Sequence, residues 1–461
     1  MVTLPSPKTP GLAQLLQWIF NPIGYMETNF SRFGDLFEAK IVPMENTPLV
    51  MVNHPRGVQE LLTRDNGTLF SAPGEANKLV EPLLGSQSVI LLSGKPHRDR
   101  RRLVMPPFHG ERMKAYGELI CQITRQVVAD WPRDKTFSAR DAMQKITMRV
   151  ILQAVFGLHE GERYRKLETL LAERLNLVSS PLTSLFVFFP QLMVDIGPLS
   201  PGGRTQQIIE ETDRLLYAEI RDRRANLDPE RKDVLTLLLL ARDEDGNGLT
   251  DGELHDELMT LLVAGHETTA TALAWALYWM HHHPEVRQKL LAERAAGAQD
   301  DYMAIAKRPY LTAVCNETLR IYPVALVTLP RRAEQPVTLM DVELQPGTLV
   351  MACIYLLHHH PDLYPNSHQF RPERFLERQF SPYEFLPFGA GARRCVGAAL
   401  AMYEMALVLD TILGECELTL ESNQVVVPQR RGGTMAPSGG VQMRKVADTG
   451  AQRRAAELTG V

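Results

Sequence analysis

One cysteine in this chain, Cys395, stands in a setting suited to chemistry. It lies in the segment 388–397, FGAGARRCVG, which combines small residues with arginine. The small residues let backbone approach a flat ligand closely, and Arg393 can pair with a carboxylate. The apolar run from Val396 to Leu413 predicts a helix that begins just after the cysteine. Because free amide hydrogens at a helix start favour a charged sulfur, we expect a thiolate at Cys395 that is ready to bind a metal, haem iron in particular.

The residues around this cysteine resemble the haem-ligand signature FxxGxRxCxG of the cytochrome P450 family. Phe388, Gly391, Arg393, Cys395 and Gly397 match it position for position. Without that match, a lone cysteine would be better explained as a core residue, since a free thiol packs as a small hydrophobe. The resemblance implies that Cys395 is the axial thiolate ligand of haem b (iron protoporphyrin IX), and that the other four residues help to bind this cofactor.

A second polar group interrupts a long apolar stretch, Leu258 to Met280. The stretch is apolar enough to suggest a membrane span, but the polar residues at its centre, AGHETT at 264–269, would be costly in hydrocarbon. Thr250 and Glu253 form a capping box before it, and Pro284 ends it, which predicts a helix of about 30 residues. Since this helix is apolar nearly all round, we expect it to run through the protein core.

The polar centre of this helix also has a chemical interpretation. Thr268 can bond back to a carbonyl one turn earlier and open the helix locally, while Gly265 thins the helix so that a ligand can approach its backbone. Glu267 adds an acid beside the hydroxyl, as proton delivery requires. By itself the segment is better explained as a helix flaw satisfied by its own hydroxyls. It is, however, similar to the oxygen-binding motif [AG]Gx[DE]T of the same family, which implies that Thr268 and Glu267 guide protons to bound dioxygen.

A third signature is ETLR, in a predicted helix from about 310 to 321. Glu317 and Arg320 are three residues apart and share a helix face, a pattern that is commonplace on solvated helices. PERF at 372–375 offers a second guanidinium, Arg374. In the family that these motifs resemble, such a triad is buried and stabilises the region leading to the haem loop. We therefore assign Glu317, Arg320 and Arg374 a structural role.

The basic segment KPHRDRRR at 95–102 is the fourth patch. His97 and Arg101 are four residues apart, hence on one helix face, and a solvated basic face would explain them equally well. The resemblance implies instead that His97 and Arg101, together with Arg331, contact the haem propionates. Arg98 and Arg102 would then face solvent on the cysteine side, where an acidic electron donor could dock.

Composition describes a globular protein with an ample core. The 461 residues carry a net charge of −4, with 44% hydrophobic and 23% charged residues. No basic block of the kind that binds nucleic acid stands out, so we expect no nucleic-acid partner. Five scattered cysteines without CxxC spacing favour reduced thiols in the cytoplasm.

No linker or repeat divides the chain, and residues 1–461 are therefore expected to form a single domain. Within it, 1–20 is an N-terminal segment and the polar stretch 442–461 a loose tail. The apolar piece Gly11 to Phe20 is too short for a transmembrane span. Two interpretations of it stay open, namely weak peripheral contact with a membrane or a fully cytoplasmic location.

Alternating segments at 35–53, 337–354 and 417–443 predict strands, while most of 55–325 predicts helices. The fold class is therefore mainly α with a small β region. The resemblance, which covers about residues 5–442 with all four signatures in order, implies a single-domain cytochrome P450 fold with haem between the long central helix and the cysteine loop with its helix. The sequences of the motifs are similar to those of the bacterial branch of the family, especially its cyanobacterial members.

The implied function is that of a monomeric haem-thiolate monooxygenase, which uses dioxygen and electrons from a separate ferredoxin and ferredoxin reductase. The substrate is expected to be apolar, with a long-chain fatty acid first and a terpene hydrocarbon second. Two other classes stay open: a non-catalytic haem sensor and a structural helical protein without haem. The candidate pocket-lining residues, each equally explained by core packing, are Ala264, Leu326, Val327, Phe186 and Phe189.

Overall fold

The structure is a computed structural model that describes residues 4–41, 49–108, 110, 112–179, 197, 200–421 and 425–449. Helices dominate this part of the chain. In chain order they are α1 (Gly11–Phe20), α2 (Pro22–Phe33), α3 (Pro55–Thr63), α4 (Glu81–Leu84), α5 (Gly94–Val104), α6 (Arg112–Ala129), α7 (Ala139–Ala154), α8 (Glu162–Ser179), α9 (Pro201–Ala225), α10 (Val234–Leu240), α11 (Asp251–His282), α12 (Pro284–Ala296), α13 (Tyr302–Ile305), α14 (Pro309–Ile321), α15 (Ile354–His358), α16 (Arg374–Glu377) and α17 (Ala398–Glu415).

The strands form small sheets at the margin of the helices. They are β1 (Leu36–Ala39), β2 (Leu49–Val52), β3 (Phe70–Ser71), β4 (Thr136–Ser138), β5 (Arg331–Ala333), β6 (Val337–Leu339), β7 (Val342–Leu344), β8 (Leu349–Ala352), β9 (Cys416–Leu420), β10 (Pro428–Arg431), β11 (Thr434–Pro437) and β12 (Gln442–Asp448). The largest sheet has the order β1-β2-β8-β5-β3, in which β2 and β8 run parallel, and a second has the order β4-β12-β9. The predicted mainly α fold with a small β region is confirmed.

The long central helix is α11, which has 32 residues. Its start is the predicted capping box, with the Thr250 side chain accepting from the Glu253 amide and the Glu253 side chain accepting from the Thr250 amide. The helix packs against α7, α14 and α17. Most of its side chains are buried, as the all-round apolar pattern predicts.

The loose tail predicted for 442–461 is wrong for its first seven residues. Gln442–Asp448 form β12, which pairs with both β4 and β9. The sequence QMRKVAD does not show the apolar–polar alternation of a strand, because Met443 and Lys445 are both buried although only Met443 is apolar. Lys445 is tolerated there because its Nζ donates to the Val128 carbonyl at 3.1 Å and pairs with Asp448 at 2.5 Å. Residues 450–461 lie outside the described part of the chain.

The N-terminal segment is integrated into the fold through α1. Gln14 is buried, donates to the Thr9 carbonyl and accepts from the Tyr25 hydroxyl at 2.9 Å. The opposite face of α1 is apolar and exposed at Leu12, Leu16 and Phe20. Among the helices that the structure describes, none has the length and hydropathy needed to cross a bilayer.

Candidate active site

The cysteine loop is closed by backbone contacts. The Cys395 amide donates to the Phe388 carbonyl at 2.9 Å, and this bond turns the segment between them into a compact bend. Gly391 adopts φ of +68°, where other residues are strained, and a Cβ there would lie 2.3 Å from a carboxylate oxygen of Asp65. The following helix α17 begins at Ala398 with Gly397 as its N-cap, two residues later than the predicted start at Val396.

Cys395 differs from the other cysteines in its accessibility. It is exposed, whereas Cys121, Cys315, Cys353 and Cys416 are buried. The expectation of a thiolate that is stabilised before any metal binds is wrong, because protein packed close around Cys395 raises the pKa of its thiol even though part of the residue is exposed. The Gly397 amide and the charges of Arg101 and Arg394 lower the pKa, but they do not outweigh that effect. A positive ion bonded to the sulfur would be needed to keep it deprotonated at neutral pH.

Arg393 and Arg331 extend from the loop and from β5 into the protein. Arg393 donates to the carbonyls of Ala72 and Val89, at 2.6 and 2.9 Å. Arg331 is fully buried and donates from Nε to Asp65 Oδ2 at 2.8 Å and from Nη2 to the Ala390 carbonyl at 3.1 Å. Both guanidinium groups therefore hold backbone around the cysteine loop in addition to carrying charge into it.

Two more basic side chains approach from α5. His97 is buried, and burial together with the charges of Arg393 and Arg101 lowers its pKa to about 4. Burial also lowers the pKa of Arg101, while the thiol of Cys395 opposes this shift. His97 lines a cavity of about 630 Å³ together with Asp65, Ser93 and Gly391. The structure thus brings the predicted basic residues within electrostatic range of one another, because the charges of Arg101, Arg331 and Arg393 all lower the pKa of His97.

Asp65 is one residue of this site that sequence reasoning missed. Its Oδ2 accepts from Arg331 and also from the Ala392 amide at 2.9 Å. It follows α3 in a segment without a recognisable motif, and it is 266 residues away from Arg331 in the chain. The only sequence signal was its isolated position at the end of a helix, which is not specific.

These features fit haem. The charges of Arg101, Arg331 and Arg393 lower the pKa of His97, and those of Arg331 and Arg101 lower the pKa of Arg393, so an anionic group between them would be stabilised. Haem carries two propionates as well as an iron that would bind the accessible sulfur of Cys395. Gly391 leaves the cysteine loop without a side chain at its tightest point.

The centre of α11 carries an opening on one face. Ala264 is exposed, and Val263, Gly265 and Thr268 are partly so, in a helix that is otherwise buried over most of its length. The Thr268 hydroxyl donates to the Ala264 carbonyl, as predicted. Gly265 also allows close packing of two helices, because a Cβ there would lie 3.0 Å from the Ile151 side chain of α7.

Glu267 points away from that opening. Arg140 Nη2 donates to its Oε1 at 2.5 Å and Gln144 Nε2 to its Oε2 at 2.7 Å, both from α7. His266 also faces α7, with Nδ1 2.7 Å from the Thr147 hydroxyl. The Glu267 carboxyl and the Thr268 hydroxyl, which adjoin in the sequence, therefore face different sides of α11, since successive helix residues point about 100° apart.

The Glu317, Arg320 and Arg374 triad is present as predicted. Arg320 donates to both carboxylate oxygens of Glu317, at 2.7 and 2.9 Å, and Arg374 donates to Glu317 Oε1 at 3.2 Å. All three side chains are buried. The arginines also donate to the carbonyls of Pro365 and Ser367, so the triad holds the segment that leads towards the cysteine loop.

The candidate pocket residues lie in different environments. Ala264 lies on the open face of α11, whereas Leu326 is buried in a core cluster with Trp18 and Tyr25 and is better described as a core residue. Val327 is partly buried and bridges to Cys353. Phe186 and Phe189 lie outside the described residues.

The basic residues predicted for electron-donor docking are exposed, but they are not equivalent. Arg102 pairs with Glu244 on the surface. Arg98 is exposed beside the cavity that His97 lines. Arg394, which sequence reasoning passed over, is exposed directly before Cys395 and lowers the pKa of its thiol.

The fold and the site together define a mainly helical haem-thiolate protein. The family model of cytochrome P450 matches residues 5–443. Cytochrome P450 135B1 of Mycobacterium tuberculosis is 36% identical over 441 residues, which are 95% of this chain and 90% of that protein. Cytochrome P450 137 of the same species is 33% identical over 417 residues, covering 90% and 83%. The chain therefore belongs to the cytochrome P450 family, whose members are monooxygenases that hold haem b by a cysteine thiolate.

Solved structures share the fold. The retinoic-acid-bound cyanobacterial CYP120A1 superposes with a TM-score of 0.82 at 23% identity, over 97% of this chain and 100% of that one. The haem domain of cytochrome P450DA gives 0.83, also at 23% identity, over 97% and 98%. The predicted single-domain P450 fold is confirmed. The similarity to the cyanobacterial CYP120A1 is a similarity of fold.

Proposed function

We propose that this chain is a monooxygenase that hydroxylates an apolar substrate, a long-chain fatty acid in the first place, at haem b bound by Cys395. The observation that carries the proposal is the exposed Cys395 with three arginines, Arg101, Arg331 and Arg393, close to its loop. An accessible sulfur and neighbouring arginines together suit an iron porphyrin that carries two carboxylates. Cys416, by contrast, is buried at the start of β9, and its sulfur faces the Ile412 carbonyl at 3.7 Å.

In this proposal Cys395 ligates the iron, while His97, Arg101, Arg331 and Arg393 surround the propionates. The haem, when bound, supplies the activation of dioxygen and the insertion of one oxygen atom into a carbon–hydrogen bond. The loop from Phe388 to Gly397 orients the sulfur through the Cys395–Phe388 backbone bond. Asp65 holds Arg331 and the Ala392 amide in place, and so sets the position of one cation relative to the loop.

The hydroxyl of Thr268 is assigned the role of delivering protons. It lies on the open face of α11, and its Oγ1 donates to the Ala264 carbonyl. That carbonyl is shared between the Thr268 hydroxyl and the helix ladder, so the hydroxyl can exchange its acceptor at low cost. A hydroxyl that accepts one proton and releases another passes a proton without changing its own charge. Glu267 is assigned as the acid that supplies protons to this hydroxyl.

The substrate assignment rests on the apolar open face. Ala264 and Val263 present no polar side chain there, and an apolar chain would be held by burial alone. A terpene hydrocarbon is the alternative, and retinoic acid, which CYP120A1 binds, combines an isoprenoid chain with a carboxylate. A screen of spectral shifts with fatty acids of increasing length, their methyl esters and terpene hydrocarbons would separate these classes. Shifts from the free acids alone favour fatty acids, and shifts from the hydrocarbons alone favour terpenes.

Electrons are proposed to come from a separate ferredoxin and its reductase. Arg98 and Arg394 are exposed near the cysteine loop, and cationic side chains attract an acidic partner. Weak contact with a membrane is proposed for α1, whose Leu12, Leu16 and Phe20 form an exposed apolar stripe. Flotation with vesicles of neutral lipid, compared between the wild type and Leu16→Ser, would measure that contact, and equal recovery would disprove it.

The central test uses the reduced protein with carbon monoxide. A cysteine-ligated haem gives a red-shifted Soret band, which we expect in the wild type and in Cys416→Ala but not in Cys395→Ala. A band that survives in Cys395→Ala would disprove the ligand assignment. Turnover with a surrogate ferredoxin system then separates an enzyme from a haem sensor, because a sensor would form no product from any fatty acid or terpene.

A further inference from the structure

The chain contains two asparagine–glycine pairs, Asn66–Gly67 and Asn247–Gly248, and both are exposed. In such a pair the backbone nitrogen of the glycine can attack the carboxamide carbon of the asparagine, because glycine has no side chain that hinders the approach. Asparagine is for this reason among the thermolabile residues of proteins. Since the two pairs have the same sequence and the same exposure, the local structure decides which of them can react.

The Asn66–Gly67 pair is held in a turn. The Gly67 amide donates to the Phe70 carbonyl at 2.8 Å, and Asn66 Oδ1 accepts from the Thr68 amide at 3.0 Å. The attacking nitrogen and the carboxamide are thus both engaged in hydrogen bonds. Because the attack requires a nitrogen that loses its proton and a carboxamide that turns towards it, this turn protects Asn66.

The Asn247–Gly248 pair lies in the loop between α10 and α11 and has a different environment. The Asn247 amide donates to Asp243 Oδ1 at 2.7 Å, and the Asn247 carbonyl accepts from the Asp243 amide at 3.0 Å. The carboxamide is held less firmly, with Nδ2 3.5 Å from Asp243 Oδ2. Among the residues that the structure describes, none accepts a hydrogen bond from the Gly248 amide. The backbone before Gly248 is therefore fixed, while the attacking nitrogen is available.

A guanidinium lies beside this amide. A Cβ built on Gly248 would be 3.0 Å from Arg242 Nη1. The same nitrogen of Arg242 donates to the Leu239 carbonyl at 2.8 Å and to the Ala241 carbonyl at 2.7 Å, so the end of α10 holds the charge in place. A cation at this position favours the deprotonated form of the Gly248 amide, and it stabilises negative charge that develops on the carboxamide oxygen during the attack.

Two acidic side chains of the same loop lie near the basic helix α5. Glu244 pairs with Arg102, and Lys95 is within electrostatic reach of both Glu244 and Asp245. These cations offset part of the negative charge that would otherwise oppose deprotonation of the Gly248 amide.

We propose that Asn247 is a site of spontaneous deamidation, in which the Gly248 nitrogen closes a succinimide ring on the Asn247 side chain. A bond forms between this nitrogen and the carboxamide carbon, and the side-chain carbon–nitrogen bond breaks. The proton of the Gly248 amide leaves with the side-chain nitrogen as ammonia. Water then opens the ring to aspartate or to isoaspartate, and no oxidant or reductant takes part. The product carries one additional negative charge in a loop that adjoins α5.

The test is incubation of the purified protein at neutral and at mildly alkaline pH, followed by peptide mass spectrometry. The peptide that contains Asn247 should gain about 1 Da, while the Asn66 peptide keeps its mass. Part of the product should accept a methyl group from a protein isoaspartyl methyltransferase, which reacts with the isoaspartyl carboxylate. The gain should be faster at the higher pH, because the Gly248 nitrogen must lose its proton. This reaction needs neither haem nor substrate, so its outcome is independent of the proposed monooxygenase function.

Two variants and one unfolded control complete the test. Gly248→Ala should slow the mass gain about tenfold, because the added Cβ hinders the attack and meets Arg242. Arg242→Gln should slow it about two- to fivefold, and Arg242→Lys should restore part of the rate, since the charge assists the reaction. In urea, where the turn at Asn66 is lost, the Asn66 and Asn247 peptides should react at similar rates.

Three results would overturn the proposal. The first is an Asn247 peptide of unchanged mass in the folded protein. The second is an equal gain at Asn66 and Asn247 in the folded protein, which would show that the structure does not select between them. The third is an Asn66 peptide that stays as slow in urea as in the folded protein, because neighbouring residues in the sequence, and not the turn, would then protect it.

Discussion

Asp65 and Arg331 form a buried ion pair, with Arg331 Nε 2.8 Å from Asp65 Oδ2. Arg331 has no exposed side-chain surface, and the same Asp65 oxygen accepts from the Ala392 amide in the cysteine loop. A segment that follows α3 is thereby joined to β5 and to the loop that carries Cys395. The pair positions a cation of the proposed haem site, and its loss should be felt at that site.

Asp65→Asn should destabilise the protein and weaken haem binding. Removing the carboxylate leaves Arg331 as an unpaired buried charge, at a cost of about 3–5 kcal/mol. Urea unfolding and the rate of haem transfer to apomyoglobin measure the two effects. Asp341→Asn is the control, because its partner Arg56 is exposed and solvent screens such a pair. Equal losses in the two variants would show that Asp65 has no special role.

Glu317→Gln should prevent the stable folding of the segment that leads to the cysteine loop. Two buried arginines, Arg320 and Arg374, would lose their common counter-charge, and we expect a loss of about 3–5 kcal/mol or more. The yield of haem-containing protein and the unfolding midpoint test this. Glu377→Gln, which breaks the exposed pair with Arg371, should leave both unchanged.

Thr268→Ala should uncouple dioxygen consumption from product formation. The variant should keep the fold, because the hydrogen bond of the Thr268 hydroxyl goes to a carbonyl of its own helix. It loses the hydroxyl proposed to pass protons, and product per dioxygen consumed should fall about tenfold or more. Thr271→Ala, a fully buried position on the same helix, serves as the control. Full coupling in Thr268→Ala would remove the assignment.

His255 should make the stability of the fold depend on pH. Its Nε2 lies 3.1 Å from Asp213 of α9 and its Nδ1 2.8 Å from Asp256, so it joins two helices. Burial by itself lowers its pKa, but the hydrogen bonds and charges of the two aspartates outweigh burial and raise it above 6.5. The stabilisation by the imidazolium is therefore complete below pH 6.5 and is lost as the pH rises through the raised pKa.

His255→Asn should consequently cost more stability at pH 6 than at pH 9. Urea unfolding at the two pH values, with the difference between variant and wild type taken at each, measures this. An equal difference at both would mean that the ring carries no charge in the folded state.

Arg394→Glu should slow reduction by an acidic ferredoxin. The charge reversal replaces attraction by repulsion beside Cys395, and at low salt the association rate should fall about tenfold. The effect should shrink as salt is added, since exposed charges are screened. Lys40→Glu makes the same change in charge at an exposed position next to α1. Stopped-flow reduction that is slowed equally by both substitutions would contradict docking at Arg394.

The motifs and elements of this protein were predictable because their causes are local. Thr250 and Glu253 cap α11 within one turn, and Glu317 and Arg320 share a helix face. The cysteine loop could be recognised because its glycines and Arg393 act within ten residues of Cys395. The strand β12 was not predicted, because its sequence is polar and the strand is stabilised by non-local pairing with β4 and β9.

What the sequence by itself determined is the set of reactive groups and the helices that carry them, since spacing along one helix already decides which side chains share a face. Only the tertiary structure decided the electrostatic state of these groups and their direction. Protein packed around Cys395 raises the pKa of its thiol against the effect of the helix start. Arg140, 127 residues away in sequence, turns Glu267 from Thr268 towards α7. Burial and pairing depend on segments that meet only in the folded chain, and these long-range contacts leave no periodic trace in the sequence.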